Sequence, residues 1–216
     1  MAKAEQKIVQ NVKQLKRATT DEHKDLRRTA ILSAAKSVFA QKGYHATTIA
    51  EVAKKAKMSY GSIYWYFDSK DTLFHELMRF EEQELNSAIN EAVSLLPKDA
   101  TVGETFRAAV RATFEFFEND KDVVKLIFRD SLSLGPKFET HLFKIYENFI
   151  DKIEQVVKEA QRQGIVINAP ARVISYSIAA LIGQVALRRL VTNDGLSASV
   201  VADFIVDLLF YGIAPR

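Results

Sequence analysis

Apolar residues recur at helical spacing in nearly every segment after Leu26, and this pattern constrains the fold more than any other feature of the sequence. Glycine and proline, which number 8 and 4 among the 216 residues, fall mainly between these segments. No segment shows the sustained two-residue alternation expected of a half-buried strand. The sequence therefore predicts an all-α fold.

Capping residues and helix breakers indicate where the helices begin and end. The first helix should stop at Gly43, and Thr47 or Thr48 should cap a short second helix. Ser59 should cap a short third helix, and a long fourth helix should end at Pro97. Further helices are expected over about residues 101–119, 121–133, 136–164, 170–191 and 197–212.

The charge is distributed unevenly along the chain. Residues 1–70 contain 14 Lys and Arg against 6 Asp and Glu, a net charge of +8, whereas residues 71–216 have a net charge of −5. A basic front part on an acidic body indicates a polyanionic partner for the front part. A merely solvated basic surface would give the same pattern.

Several classes of protein are disfavoured by what the sequence lacks. Without cysteine there are no disulfides, thiolate metal sites or cysteine nucleophiles. The four histidines have no metal-ligand spacing with acidic neighbours, and neither a glycine-rich phosphate loop nor a recognisable catalytic triad is present. We therefore expect neither an enzyme nor a cofactor. No apolar run has the length of a signal peptide or a membrane span, which predicts a cytoplasmic protein without a membrane partner.

Residues 47–67 carry the most informative motif. Two short helices joined by about three residues have the length of a helix-turn-helix, whose second helix lies in the DNA major groove. The apolar residues that such a motif needs on its inner side are Val52, Ala53, Ala56, Met58, Ile63 and Phe67.

The second helix of this motif has more aromatic residues than its inner side can bury. Ile63 and Phe67 already define that side, so tyrosine and tryptophan side chains are left outside. Their polar groups can donate to phosphates, and their rings can contact base edges and thymine methyl groups. A plain aromatic core is the alternative explanation. The outward positions are Tyr60, Gly61, Ser62, Tyr64, Trp65 and Tyr66.

From Arg27 to about Met78 the sequence resembles the TetR/AcrR family of transcriptional regulators. The resemblance is carried by Arg28-x-x-Ile31-Leu32-x-Ala34-Ala35, Phe39-x-x-x-Gly43-Tyr44, Thr47-Thr48-Ile49-x-x-Val52-Ala53, Ser59-x-Gly61-Ser62-Ile63-Tyr64-x-Tyr66-Phe67 and Ser69-Lys70-x-x-Leu73-Phe74. It implies a three-helix DNA-binding domain over residues 24–70 and a helical bundle for effector binding and dimerisation over residues 71–216. Residues 1–23, which are charged throughout and lack a stable apolar stripe, are expected to be a leader.

The candidate DNA-contacting residues combine the motif with its basic and hydroxyl neighbours. Lys57 stands where the family usually has glycine in the turn, a position that often adopts a left-handed backbone. Lys54, Lys55 and Lys57 could instead form only a solvated face. The candidate residues are Arg28, Thr47, Thr48, Lys57, Ser59, Tyr60, Gly61, Ser62, Tyr64, Trp65, Tyr66 and Lys70.

The body contains 12 of the 14 phenylalanines, all after Lys70. The resemblance implies an apolar effector pocket there, whose occupancy changes the separation of two DNA-binding heads; a solid aromatic core is the alternative. Arg111 and Glu115 are also spaced as an i,i+4 ion pair. The candidate effector-binding residues are Phe106, Arg111, Phe114, Phe117, Phe128, Phe149, Tyr146 and Tyr176.

The last two helices carry small and apolar rows that could pair in a two-fold dimer. Ordinary packing within one chain is the alternative. The candidate interface residues are Ala179, Gly183, Ala186, Leu187, Ala202, Ile205, Val206 and Leu209.

The sequence thus predicts a homodimeric regulator that binds an inverted-repeat operator in double-stranded DNA. We expect a repressor released by a small apolar effector. The alternatives are a ligand-independent or architectural DNA-binding protein, or an activator of the same family.

Overall fold

The computed structural model describes residues 23–129, 136–192 and 195–212, and over these residues the chain contains helices and no strand. The all-α prediction is confirmed. The predicted leader lies outside the described residues except for its last residue, His23. The helices are α1 (23–42), α2 (Ile49–Lys55), α3 (Tyr60–Tyr66), α4 (Lys70–Ser94), α5 (Val102–Asn119), α6 (Lys121–Val124), α7 (Pro136–Arg162), α8 (Ala171–Arg189) and α9 (Ala198–Tyr211).

Side-chain caps begin most of these helices, as the sequence predicts. Before α4, Ser69 accepts the hydrogen bond from the backbone N–H of Thr72. Before α9, Ser197 accepts from Val200. Thr101 forms a capping box with Glu104 at the start of α5.

Helices α1 to α3 pack around one apolar core, which we call the head core. Phe39 is fully buried there, and its ring packs edge-to-face with that of Phe74, with the two centroids 5.1 Å apart. The core takes Leu73, Phe74, Leu77 and Met78 from α4, so it extends past the predicted domain boundary at residue 70.

A π-helical turn over Lys125–Arg129 follows α6 and touches two cores. Leu126 is buried in the head core, while Phe128 packs edge-on against Phe117 in the core of the body. This turn therefore joins the two cores physically.

An ion-pair cluster also spans the head and the body. Lys36 of α1 places its ammonium nitrogen 2.9 Å from a carboxylate oxygen of Glu81, which is 3% exposed on α4. The same ammonium group pairs with Asp120, the residue that caps α6. The cluster thus holds α1 against both α4 and the junction of α5 with α6.

The body is a bundle in which α5 packs closely on α4 and α9, and α7 packs closely on α8. Val110 and Phe114 of α5 and Ile205 of α9 lie in its core. Arg172 at the start of α8 pairs with Glu147 and Glu154 of α7, which holds the start of α8 against the middle of α7.

Candidate DNA-binding face and effector cavity

The turn between α2 and α3 has the backbone geometry that the sequence predicted. Lys57 adopts a φ of 56°, the left-handed conformation in which glycine is usual. Its N–H donates to the carbonyl of Lys54 at 3.2 Å, and the N–H of Met58 donates to the carbonyl of Ala53 at 2.9 Å. These two bonds form a Schellman motif, which ends α2 and turns the chain into α3.

Both short helices begin at their predicted caps. Thr48 and Glu51 form a reciprocal capping box at α2, and Ser59 accepts from the N–H of Ser62 at α3. Hydrogen bonds from Lys42 and then Thr48 lower the pKa of Glu51 to about 2, so the capping carboxylate stays ionised. The two helices are therefore fixed before any ligand binds.

The outer side of α3 is aromatic and exposed, as predicted. Tyr60 and Trp65 are 55% and 67% exposed, and Tyr60 and Tyr64 join their hydroxyl oxygens at 3.1 Å. A side chain at Gly61 would meet no atom within 4 Å, so the backbone there is open to a partner. Tyr66 differs from the prediction, because it is half-buried against the head core.

Three other candidate DNA-contacting side chains, which were expected to point outward, bind groups within the head. Thr47 is 1% exposed and donates its hydroxyl hydrogen to the carbonyl of Gly43 at 2.8 Å. Arg28 pairs with Glu76. Lys70 donates to three backbone carbonyls, those of residues 44, 45 and 47, at 2.9, 3.3 and 3.0 Å. Their side chains stabilise the head instead of pointing outward.

The body contains a cavity of about 430 Å³ between α4, α5, α7, α8 and α9, and its walls are largely apolar. This volume lies in the range of small-molecule sites. Asn86, Asn90 and Lys152 supply polar groups, and the ammonium nitrogen of Lys152 lies 2.9 Å from the side-chain oxygen of Asn86. The apolar lining includes Ile89, Val93, Phe106, Ala109, Val110, Phe149, Ile153, Val156, Val157, Ala160, Ile174, Ile178, Ile182, Leu209 and Phe210.

Two of the candidate effector-binding residues line this cavity, Phe106 and Phe149. Phe114, Phe117 and Phe128 instead pack in the solid core of the body.

The polar candidates also lie elsewhere. Arg111 binds Asp203 of α9 through two nitrogens, at 2.6 and 2.7 Å, and so does not form the expected pair with Glu115. Tyr146 and Tyr176 are each 41% exposed on outer faces and do not line the cavity. The spacing of Asn86 and Asn90, one helical turn apart on α4, is the sequence signal that could have marked the cavity.

The candidate dimer residues are mostly buried within their own chain. Ala179, Ala186, Ala202, Ile205 and Val206 are each at most 6% exposed. They are occupied by intrachain packing, which was the alternative explanation.

The remaining candidates depart from the prediction as well. Gly183 lies under the ring of Phe128, where a Cβ would be 2.6 Å from one ring carbon. Leu187 is half-buried, and Leu209 lines the cavity. The exposed large apolar residues of α8 and α9 are Val173, Tyr176, Val200, Phe204, Leu209 and Tyr211.

The fold and the exposed α3 define a helix-turn-helix DNA-binding protein. The sequence profile described as "Bacterial regulatory proteins, tetR family" matches residues 31–77. An uncharacterized HTH-type transcriptional regulator of Bacillus subtilis, YhgD, is 31% identical over 137 residues, which cover 61% of this chain and 70% of YhgD. The chain belongs to the TetR family of DNA-binding transcriptional regulators. These regulators are not enzymes, as the sequence predicted.

A further relative matches about half of the chain, and two solved structures match most of it in fold. The transcriptional activator FasR of Mycolicibacterium smegmatis is 32% identical over 114 residues, which cover 53% of this chain and about half (51%) of FasR. The structure of Bacillus subtilis FadR in complex with stearoyl-CoA matches with a TM-score of 0.77 at 19% identity, covering 86% of this chain and 99% of FadR. The structure of AibR in complex with isovaleryl coenzyme A and operator DNA matches with a TM-score of 0.69 at 21% identity, covering 85% and 98%.

No helix within the described ranges has both the length and the apolar character needed to cross a membrane.

Proposed function

We propose that this protein is a homodimeric repressor that binds an inverted-repeat operator and is released when an acyl-chain ligand fills the cavity of the body. The observation that carries the proposal is the apolar cavity of about 430 Å³ beneath a complete helix-turn-helix head. Such a cavity counts against the architectural alternative, which a fully packed body would have favoured.

The DNA-contacting surface is assigned to α3. Tyr64 is 40% exposed, and its hydrogen bond with Tyr60 raises its pKa. Tyr64→Ala should weaken operator binding by about 1–3 kcal/mol at fixed salt. Tyr146→Ala removes an equally exposed tyrosine from α7 and is the control. Equal operator affinity in the two variants would refute the assignment of α3.

The ligand is assigned to amphiphiles with an acyl chain. The walls of the cavity suit a chain of methylene groups, and Lys152, Asn86 and Asn90 can bind a polar or anionic head group. The bound stearoyl-CoA of FadR and isovaleryl coenzyme A of AibR support acyl-coenzyme A compounds as the first candidates.

The coupling of ligand to DNA is assigned to contacts that join the two cores. Leu126 and Phe128 lie two residues apart on the π-helical turn, one in the head core and one against the body. A ligand that binds one arrangement of the body better than another shifts the equilibrium between the two arrangements. The size of that shift equals the difference between its binding free energies for them, and the head follows through these contacts. DNA is released if, in the arrangement that the ligand favours, the distance between the two heads no longer matches the spacing of the operator half-sites.

The ligand assignment is tested by adding acyl-coenzyme A compounds of increasing chain length to the operator complex and measuring release by fluorescence anisotropy. Ala109→Trp fills part of the cavity from α5, so it should need at least about tenfold more ligand for release, whereas its operator affinity without ligand stays unchanged. Equal release of wild type and variant would refute the site. Failure of every chain length to release wild type would refute the ligand class.

The dimer is assigned to the exposed apolar faces of α8 and α9, which replace the buried candidates. Val200 and Phe204 on α9 are 50% and 63% exposed. Phe204→Glu should give a monomer in sedimentation experiments and reduce operator affinity, because burying a carboxylate in an apolar interface is costly. Leu95→Glu, at an exposed residue after α4, is the control. A dimeric Phe204→Glu variant would refute this face.

Activation is the second candidate, and the 32% identity with the activator FasR favours it. The two outputs differ in the cell. Deleting the gene raises transcription from the operator-bearing promoter if the protein represses, and lowers it if the protein activates.

A further inference from the structure

A cleft lies between the first turn of α1 and α3, beside the aromatic face. It has a volume of about 370 Å³ and is lined by His23, Lys24, Arg27, Ser62, Trp65 and Tyr66. None of the lining residues is acidic. The cleft therefore presents cationic and neutral donor groups on the side of the head that carries α3.

The basic residues of α1 divide between two directions because of helical spacing. Arg28 points toward the head core, where it pairs with Glu76 and lies 5.6 Å from the ring centre of Phe67. Lys24 and Arg27, three residues apart, share the face that turns toward α3. Neither forms an ion pair with any residue that the structure describes.

Trp65 provides one wall of the cleft. The ammonium nitrogen of Lys24 lies 5.1 Å from the centre of its ring, a distance at which a cation is attracted to an aromatic face. This contact holds Lys24 beside α3 while leaving its three N–H donors able to bind an anion. The indole N–H of Trp65 and the hydroxyls of Ser62 and Tyr66 are further donors in the lining.

Two cations and several neutral donors suit an anion with several acceptor oxygens. Because the cleft adjoins the helix assigned to the major groove, the anion in reach is a phosphate of the DNA backbone. We propose that this cleft binds one backbone phosphate per head through Lys24 and Arg27, in place of the contact that the sequence assigned to Arg28. The proposal rests on the role of α3 in the proposed function.

The test compares adjacent arginines. Arg27→Gln and Arg28→Gln remove the same charge one residue apart, and Lys24→Gln removes the second cation of the cleft. Operator and non-operator DNA binding are measured for each variant between about 50 and 200 mM salt, where log affinity falls linearly with log salt. Melting temperatures confirm that each variant is folded at the temperature of the assay.

We expect Arg27→Gln and Lys24→Gln each to reduce the salt slope, by up to about 0.9 per head, since both cations neutralise the same phosphate. Both should weaken operator and non-operator DNA by the same factor, because a phosphate contact carries no sequence information. Arg28→Gln should lower the melting temperature through loss of the Glu76 pair and leave the salt slope unchanged.

Two results would overturn the proposal. One is an unchanged slope in both cleft variants while Tyr64→Ala still weakens operator binding; this result leaves α3 as the DNA-binding helix and removes the cleft. The other is an equal loss of slope in Arg27→Gln and Arg28→Gln, which would reflect overall charge instead of a site. If Tyr64→Ala and the cleft variants all bind as wild type, the proposed DNA-binding face fails with the cleft.

Discussion

Lys57 is a lysine in a backbone conformation that favours glycine, and replacing it tests the geometry of the turn. At φ 56° its Cβ is crowded against the backbone, which costs an L-residue about 1–2 kcal/mol relative to glycine. Glycine also gains freedom in the unfolded chain, which offsets about 0.4–1 kcal/mol of that relief. Lys57→Gly should therefore be as stable as wild type or more stable, by up to about 1.6 kcal/mol.

Lys57→Ala is the matched control, because it removes the same charge and keeps the Cβ. Since alanine retains the left-handed strain, Lys57→Gly should match Lys57→Ala in unfolding free energy or exceed it, by up to about 1.6 kcal/mol. In a chain of this size each kcal/mol moves the melting temperature by about 2–4 °C.

Thermal unfolding at one fixed protein concentration measures this difference, since oligomerisation makes the melting temperature depend on concentration. A glycine variant less stable than the alanine variant would refute the left-handed turn. The two variants lack the same positive charge beside α3, so their salt slopes for operator binding should be equal and about 0.9 per head below wild type. A slope equal to that of wild type in both would place Lys57 on a solvated face.

Three further predictions concern packing and the buried cluster. Gly183→Ala should destabilise the protein by about 1–3 kcal/mol in a thermal melt, because its Cβ would lie 2.6 Å from Phe128. Gly103→Ala in α5 is the control: its Cβ would meet no atom closer than 4.0 Å, so it should raise stability by about 0.5–1 kcal/mol. A Gly183→Ala variant more stable than the Gly103→Ala variant would contradict both expectations. Lys36→Met should cost about 3 kcal/mol by leaving the Glu81 carboxylate buried without its cation, and a double variant with Glu81→Met should recover most of that loss. Burial raises the pKa of Glu81 despite Lys36, so the Glu81 carboxyl holds its proton more tightly in the folded state than in the unfolded chain. The resulting stabilisation is complete below about pH 4.5 and is lost as pH rises through the raised pKa. A Glu81→Gln variant whose stability changed with pH in parallel with wild type would refute this pH dependence.

The local features of the head were determined by the sequence. The caps at Thr48 and Ser59, the left-handed residue at Lys57 and the inward direction of Ile63 all depend on residues within one or two helical turns. Helical periodicity and helix capping depend on residues within that range, so these features can be predicted without knowing how the rest of the chain folds. The surplus of aromatic residues on α3 followed from the same count of inner and outer positions.

The partners that long polar side chains bind were determined only by the tertiary structure. Arg28 and Lys70 were predicted to contact DNA. In the structure, Arg28 pairs with Glu76, and Lys70 donates to the backbone carbonyls of residues 44, 45 and 47. Arg111 finds Asp203, 92 residues away along the chain, instead of Glu115 in the next turn. A flexible charged side chain binds whichever partner the fold brings near, and sequence spacing does not specify that partner.

The division of apolar residues between core, cavity and exposed face also required the assembled bundle. Helical periodicity identifies the buried face of a helix without saying what covers that face. Phe106 and Phe149 line the cavity, whereas Phe114 and Phe117 fill the core, although all four follow the same helical pattern. Whether a side chain meets a neighbour, a void or water is set by the relative placement of whole helices, which no local pattern encodes.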